Sequence, residues 1–404
     1  MTNTHEDDAR YPYWRRNLLV LPVANVICSI GFQMAWPFVP LMVRGLGITE
    51  NLETWVGNML MVFYLVGFTV NPIWGSIADH YSRKLMVLRA MIGMGIAMIV
   101  VPFAPTPLWF AAALMLIGLF NGYTPAGITL LVANTPPSHI GRAVARAQTG
   151  ALLGQVLGPA VGAGLAGYIA HQHHLYWISS GFLLLGGLLV ALFVREVQHK
   201  AEGPWRPRWI GSLRELLATP RIGVLILLAF LFSLMWHGSV TNISVFVLQL
   251  LKDQGADLGQ EAFWVGAAAV ALAAAMLVAT PLWGQVLDRI GPQRVLAFSI
   301  AATVLTHVPL LILETPLQLV VARVAFGLTA AAMSPAIFQL LRVHAPKGMD
   351  ARAISYAGAF QFLGMGLAPF IAGIIGPLFG LRAYFAFTIV LMVAGFVLWR
   401  RSAR

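Results

Sequence analysis

The stretch "WGSIADHYSRKL" (residues 74–85) returns, altered, as "WGQVLDRIGPQRV" (283–295). Trp74, Gly75 and Asp79 reappear as Trp283, Gly284 and Asp288, each 209 residues on. The echo extends on both sides. Pro72 matches Pro281, and "GLFNGYTPA" (118–126) matches "GLTAAAMSPA" (327–336) with one residue inserted. Past that insertion Arg142-Ala143 matches Arg352-Ala353, and Gly154 and Pro159 match Gly364 and Pro369. Self-similarity of this length marks a duplicated structural unit.

The material between the charged hairpins is almost purely apolar. Hydrophobic residues make up 59% of the 404, and charged residues 10%, against about 25% charge in a soluble domain. Nearly uncharged runs of about 20 residues, such as 18–43, 85–104, 177–194 and 384–399, are long enough to cross a bilayer as helices. Short alternating segments, which a β-barrel requires, are absent. The expected fold is an all-α integral membrane protein with twelve spans, near 17–43, 54–78, 85–104, 107–133, 143–170, 175–195, 221–250, 261–287, 294–313, 316–343, 351–378 and 381–400. They divide into two pseudo-symmetric six-helix bundles. The expected organisation is a tail at 1–16, a bundle at 17–195, a linker at 196–220 and a second bundle with a short tail at 221–404.

The net charge of +11 does not point to nucleic acid. With both termini on one side, that side carries 22 of the 26 Lys and Arg; Arg44, Lys252 and Arg382 fall on the other, and only Arg323 within the membrane core. This is the positive-inside pattern, which places the termini in the cytoplasm of a multi-pass plasma (inner) membrane protein. Cys28 is the single cysteine, so no intramolecular disulfide or cysteine-based metal framework forms. The polar start "MTNTHEDDAR" has no signal-peptide pattern. In the linker, Trp205, Trp209, Leu213, Leu216 and Leu217 can form one face of a helix lying on the membrane surface.

Twelve spans, the 6+6 repeat and these motifs resemble the major facilitator superfamily. "GSIADHYSRKLMV" (75–87) resembles its signature between the second and third helices: Gly75, Asp79, Arg83 and Lys84 match, while His80 and Ser82 depart. "GQVLGPAVGAG" (154–164) in span 5 resembles the antiporter signature through Gly154, Gly158, Pro159 and Gly162, with Ala163 departing. The nearest branch in pattern is the twelve-helix drug:proton antiporters. The resemblance implies that Asp79 latches the two halves on the cytoplasmic side. Asp288, followed by Pro292 and Gln293 in place of a basic pair, implies a weaker second latch. On physical grounds Gly75 allows close helix approach, and Pro159 loosens its helix.

In this architecture spans 1, 4, 7 and 10 line a central cavity. Their polar residues Asn25, Gln33, Asn121, Tyr123, His237, Asn242, Arg323 and Gln339, with Gln361 on span 11 and the wall residues Met34, Trp36 and Trp236, are the candidate substrate contacts; each is equally able to serve packing. No carboxylate falls near a span midpoint, so Arg323 needs carbonyls, water or an anionic ligand. His237 is the candidate proton carrier, because histidine titrates near neutral pH. "HQHH" (171–174) is a weak metal motif. No phosphate-binding loop and no catalytic constellation appear. The expected activity is proton-coupled export of small amphipathic compounds, without cofactor or enzyme chemistry, by a monomer surrounded by lipid. Export of an organic anion or a lipid is the alternative, and a non-transporting membrane sensor a more distant one.

Overall fold

The computed structural model describes residues 11–136, 139–166, 168–169, 172–197, 214, 216–346 and 350–402. Regular structure among them is helical throughout. Twelve helical stretches are long and apolar enough to span a membrane: Trp14–Gly45, Leu52–Val70, Arg83–Phe103, Pro107–Ala133, Thr149–Ala166, Gln172–Phe193, Pro220–Val240, Leu258–Ile290, Pro292–Leu311, Pro316–His344, Tyr356–Phe379 and Leu381–Ser402. They are spans 1 to 12 below. Their outward surfaces are greasy; Leu19, Leu108 and Leu305 are each about two-thirds exposed or more, as lipid contact allows.

The repeat is visible bond by bond. The Trp74 indole donates to the Leu119 carbonyl at 2.9 Å, and Trp283 donates to Leu328 at 2.7 Å. Both pairs lie 209 residues apart. Thr106 caps the start of span 4 by accepting from Trp109 N–H, and Thr315 caps span 10 by accepting from Gln318 N–H; Pro107 and Pro316 follow at the first helical position. In the first half span 1 packs on spans 5 and 6; in the second, span 7 packs on spans 11 and 12.

Spans 1, 4, 7 and 10 are each interrupted. Span 1 passes through a 3-10 turn at Trp36–Phe38, where Pro37 and Pro40 withhold backbone donors. Span 4 breaks at Asn121–Gly122; Gly122 adopts φ 113°, a conformation glycine takes without penalty. Span 7 breaks at Asn242 and resumes over Ile243–Asp253. Span 10 breaks at Ala331–Ala332. Irregular backbone at membrane depth must be shielded from lipid, and Phe38, Asn242, Ala331 and Ala332 are all buried. By contrast, the helix Ile140–Ala166 runs unbroken through Pro159. The expected loosening there therefore takes no form of a break.

Packing divides the chain into two compact units: Met1–Trp36 with Leu65–Pro207, and Pro37–Tyr64 with Arg208–Arg404. The stretch Pro37–Tyr64 thus belongs to the first repeat in sequence and to the second unit in packing. In the linker, Trp205, Trp209 and Leu213 lie outside the described residues. Leu216 corrects the expectation of a lipid-facing stripe: it is fully buried in the core of the second unit with Ile222 and Leu225.

Candidate functional site

In the first unit, close packing and polar glue meet on span 1. Gly150, Gly154 and Gly158 form a groove on span 5 in which Pro22, Val26, Ser29, Ile30 and Gln33 rest. A methyl group at Gly154 would lie 2.1 Å from Ser29 Cβ and 2.7 Å from its carbonyl carbon. Small residues four apart permit this approach. Pro159 and Gly162 are buried on the same helix. Asn25 donates to the Ala147 carbonyl at 3.0 Å and accepts from Thr124 at 3.3 Å. Ser29 and Tyr123 share a hydrogen bond of 3.1 Å. Asn25 and Tyr123 thus join spans 1, 4 and 5, which is the packing alternative left open by sequence. Asn121 closes the break in span 4, its side chain accepting from Gly122 N–H at 2.7 Å. Met34 is fully buried, Trp36 stacks on Phe32 at 5.1 Å, and Gln33 is half-buried.

The signature hairpin has an organiser that sequence reasoning missed. Glu196 accepts from Ser82 Oγ at 2.6 Å, Arg83 N–H at 2.9 Å and Lys84 N–H at 3.0 Å. One carboxylate therefore satisfies the start of span 3, where the helix dipole favours negative charge. Ser82 adds the N-cap by accepting from Leu85 N–H, which gives its departure from the family pattern a local role. Lys84 Nζ donates to the Ala191 carbonyl at 2.9 Å. Arg89 lies 4.1 Å over the Trp74 ring. The side chain of Asp79 and the surroundings of Gly75 lie outside the described residues. Asp288 is exposed, and its hairpin continues through Gly291 at φ 84° and Pro292, with no serine cap. Glu196→Ala removes three hydrogen bonds at once. It should lower the thermal midpoint of the purified protein by an amount corresponding to about 1–3 kcal/mol, whereas Asp288→Ala should not. Thermal unfolding in detergent measures both; equal midpoints for the two variants would remove Glu196 from this role.

In the second unit, His237 on span 7 has Nδ1 3.0 Å from the Ser233 carbonyl, so Nδ1 carries the proton in that contact. Its ring meets Tyr64 edge-on at 6.4 Å. The Gln361 carbonyl accepts from Ser233 Oγ at 2.6 Å, and the Gln361 amide donates to Ser334 at 3.1 Å. Trp236 leans on Phe326 at 5.1 Å. Asn242 donates to the Gly238 carbonyl at 2.9 Å, closing the break in span 7. Gln339 is half-buried, with its Oε1 unmatched among the described residues. Arg323 is 2% exposed. Its Nη2 donates to the Ser239 carbonyl, while Nε and Nη1 find no acceptor among the described residues. His307 is buried beside it, edge-on to Phe326 at 4.3 Å. At the "HQHH" motif, His173 meets His174 edge-on and His174 stacks on Trp177, His171 lies outside the described residues, and no group of metal-binding side chains occurs among the described residues.

The family model described as Major Facilitator Superfamily matches residues 23–270 and 239–404. The chain belongs to this superfamily. Along its length it is 30% identical over 401 residues to the multidrug resistance protein MdtG of Serratia proteamaculans (strain 568), covering 97% of this chain and 96% of that one. It is 29% identical to the protein of that name from Escherichia coli (strain SMS-3-5 / SECEC), covering 96% and 93%. A bacterial homologue of the human lysosomal transporter Spinster, solved inward-facing and unoccupied, superposes with a TM-score of 0.78 over 97% of both chains at 15% identity. This superfamily member is a multi-pass membrane protein of secondary transport, related to multidrug exporters, and not an enzyme.

Proposed function

We propose that the chain exports small amphipathic compounds across the inner membrane by alternating access, in exchange for protons. The observation that carries this reading is the end-to-end likeness to proteins named for multidrug resistance. The side chains support it. In the second unit, half-buried Trp236, Gln339 and Gln361 offer an aromatic face and two amide groups, a lining that tolerates varied ligands. Asp79 serves as the inner latch and His237 as the carrier of the coupling proton. Buried Arg323, with no carboxylate partner among the described residues, favours one second reading, an anionic substrate.

The test is efflux of a panel of cationic, neutral and anionic amphiphiles from proteoliposomes with imposed pH gradients. Gradient-dependent flux of the cationic or neutral members is expected, with its pH dependence flattened in His237→Gln. Flux confined to anions would select the second reading, and no gradient-dependent flux of any member would end the first.

Both termini are proposed to be cytoplasmic, from the distribution of Lys and Arg. In a Cys28→Ser background, a cysteine at position 173 should react with an impermeant maleimide in intact cells. Reaction only after permeabilisation would reverse the orientation.

A further inference from the structure

Pro37–Tyr64 covers the outer end of span 1 and the outer half of span 2, given the proposed orientation. It is stitched to spans 7 and 11 by neutral contacts and to span 8 by an ion pair. Ser244 Oγ donates to the Pro37 carbonyl, and Thr54 Oγ1 to the Gly373 carbonyl. Gly57 lies against the Pro369 carbonyl, and Gly373 against the backbone of Glu53 and Thr54, so closely that a methyl group at either would overlap backbone. All of these are neutral contacts; the one to span 8 is charged. Arg44 Nη1, at the end of span 1, lies 2.8 Å from Glu261 Oε2, at the first turn of span 8. The Arg44 side chain is 35% exposed and that of Glu261 5%.

This pair has the property a lock needs, and the packing contacts lack it: its strength depends on charge at both ends. Charge-assisted contacts are stronger than neutral ones. A carboxylate as buried as Glu261 also penalises any state that takes its cation away while leaving it in place. Among the described residues Lys252, at the end of span 7, also acts on Glu261, and the Asp257 carboxylate, just before span 8, accepts from Gly259 N–H. Glu53 lies against Gly373 and Gly376 instead.

We propose that Arg44 and Glu261 form the charge lock of the outer seam, keeping the outer ends of spans 1 and 2 on spans 7, 8 and 11 until transport parts them. The proposal rests on the alternating-access reading above. The asymmetry in burial gives it a signature. Removing Arg44 strands a buried carboxylate, and the seam opens to hydrate it. Removing both charges strands nothing, so the seam closes again on its neutral contacts.

The test uses Ser244→Cys as a reporter of the seam in full-length Cys28→Ser protein, reacted with an impermeant maleimide in intact cells. Labelling should be slow in this parent. It should be faster by on the order of tenfold in Arg44→Gln, and return to within about twofold of the parent in Arg44→Gln/Glu261→Gln and in the exchanged pair Arg44→Glu/Glu261→Arg. Arg44→Lys, which keeps the charge but loses the planar fork, should fall between and carries the test if Arg44→Gln does not reach the membrane. Parent-like labelling of the single variants, or a double variant as reactive as Arg44→Gln, would overturn the lock. The parent's flux is measured separately. Absent flux with the expected labelling would sink the transport reading and leave the lock standing; normal flux with unchanged labelling would do the reverse.

Discussion

Arg323→Met should raise the thermal midpoint of the purified protein and, in the same molecule, lower transport by about tenfold or more. The two effects have one cause. Arg323 is 2% exposed and, among the described residues, makes one hydrogen bond, to the Ser239 carbonyl. Its Nε and Nη1 are unmatched among the described residues, and its neighbour on span 9 is the buried ring of His307. An arginine at a helix centre costs about 2.5–3.5 kcal/mol on insertion scales. One carbonyl compensates only part of that, so an apolar side chain of similar length should be better tolerated in this conformation. A guanidinium kept at such cost needs a partner elsewhere in the transport cycle, either an anionic part of the substrate or groups that another conformation brings to it. Arg323→Lys should share the transport defect in part, because the ammonium keeps the charge but not the planar fork. Scanning fluorimetry and flux normalised to membrane content give the two readouts. A lower midpoint with unchanged flux would return Arg323 to ordinary packing.

Gly154→Val should leave little folded protein in the membrane, and what remains should not transport. The Cβ position at Gly154 is 2.1 Å from Ser29 Cβ, 2.7 Å from the Ser29 carbonyl carbon and 2.9 Å from Ile30 N. Two of these three are backbone atoms of span 1 and cannot turn aside. Overpacking of this kind costs about 1–3 kcal/mol or more. Separating spans 1 and 5 would also strain the hydrogen bonds of Asn25 to Ala147 and of Ser29 to Tyr123. Gly164 on the same helix has nothing within 4 Å of its Cβ position, so Gly164→Ala should express and transport like the parent. Membrane content by immunoblot and flux in vesicles compare the two. Parent-like content and flux in Gly154→Val would show that spans 1 and 5 do not need this contact.

The twelve spans and the duplicated unit were legible in the sequence because both are properties of the chain taken locally. A span needs only a long enough apolar run, and a repeat needs only residues at a constant offset. The Trp74–Leu119 and Trp283–Leu328 bonds are the structural form of that offset. The prolines at 37 and 40 even foreshadow the break in span 1, and Gly122 the one in span 4, whereas nothing in "TAAAM" (329–333) announces the break in span 10. What only the tertiary structure decided are the partners. Glu196 stands 112 to 114 residues from the groups it caps. In sequence it opens a polar linker, and nothing local distinguishes it there from any other exposed acid. Asn25 and Gln33 are chemically alike and eight residues apart on one helix, yet Asn25 is committed to Thr124 and Ala147, while Gln33 is half-buried against Gly158. Composition made Glu261 a helix-end acid; the fold of the second unit buried it and gave it Arg44. The reason is the same in each case. Apolar length and repetition are written along the chain, but the fate of a polar group in a membrane protein depends on which distant helix supplies its partner, and that is fixed only when the helices pack.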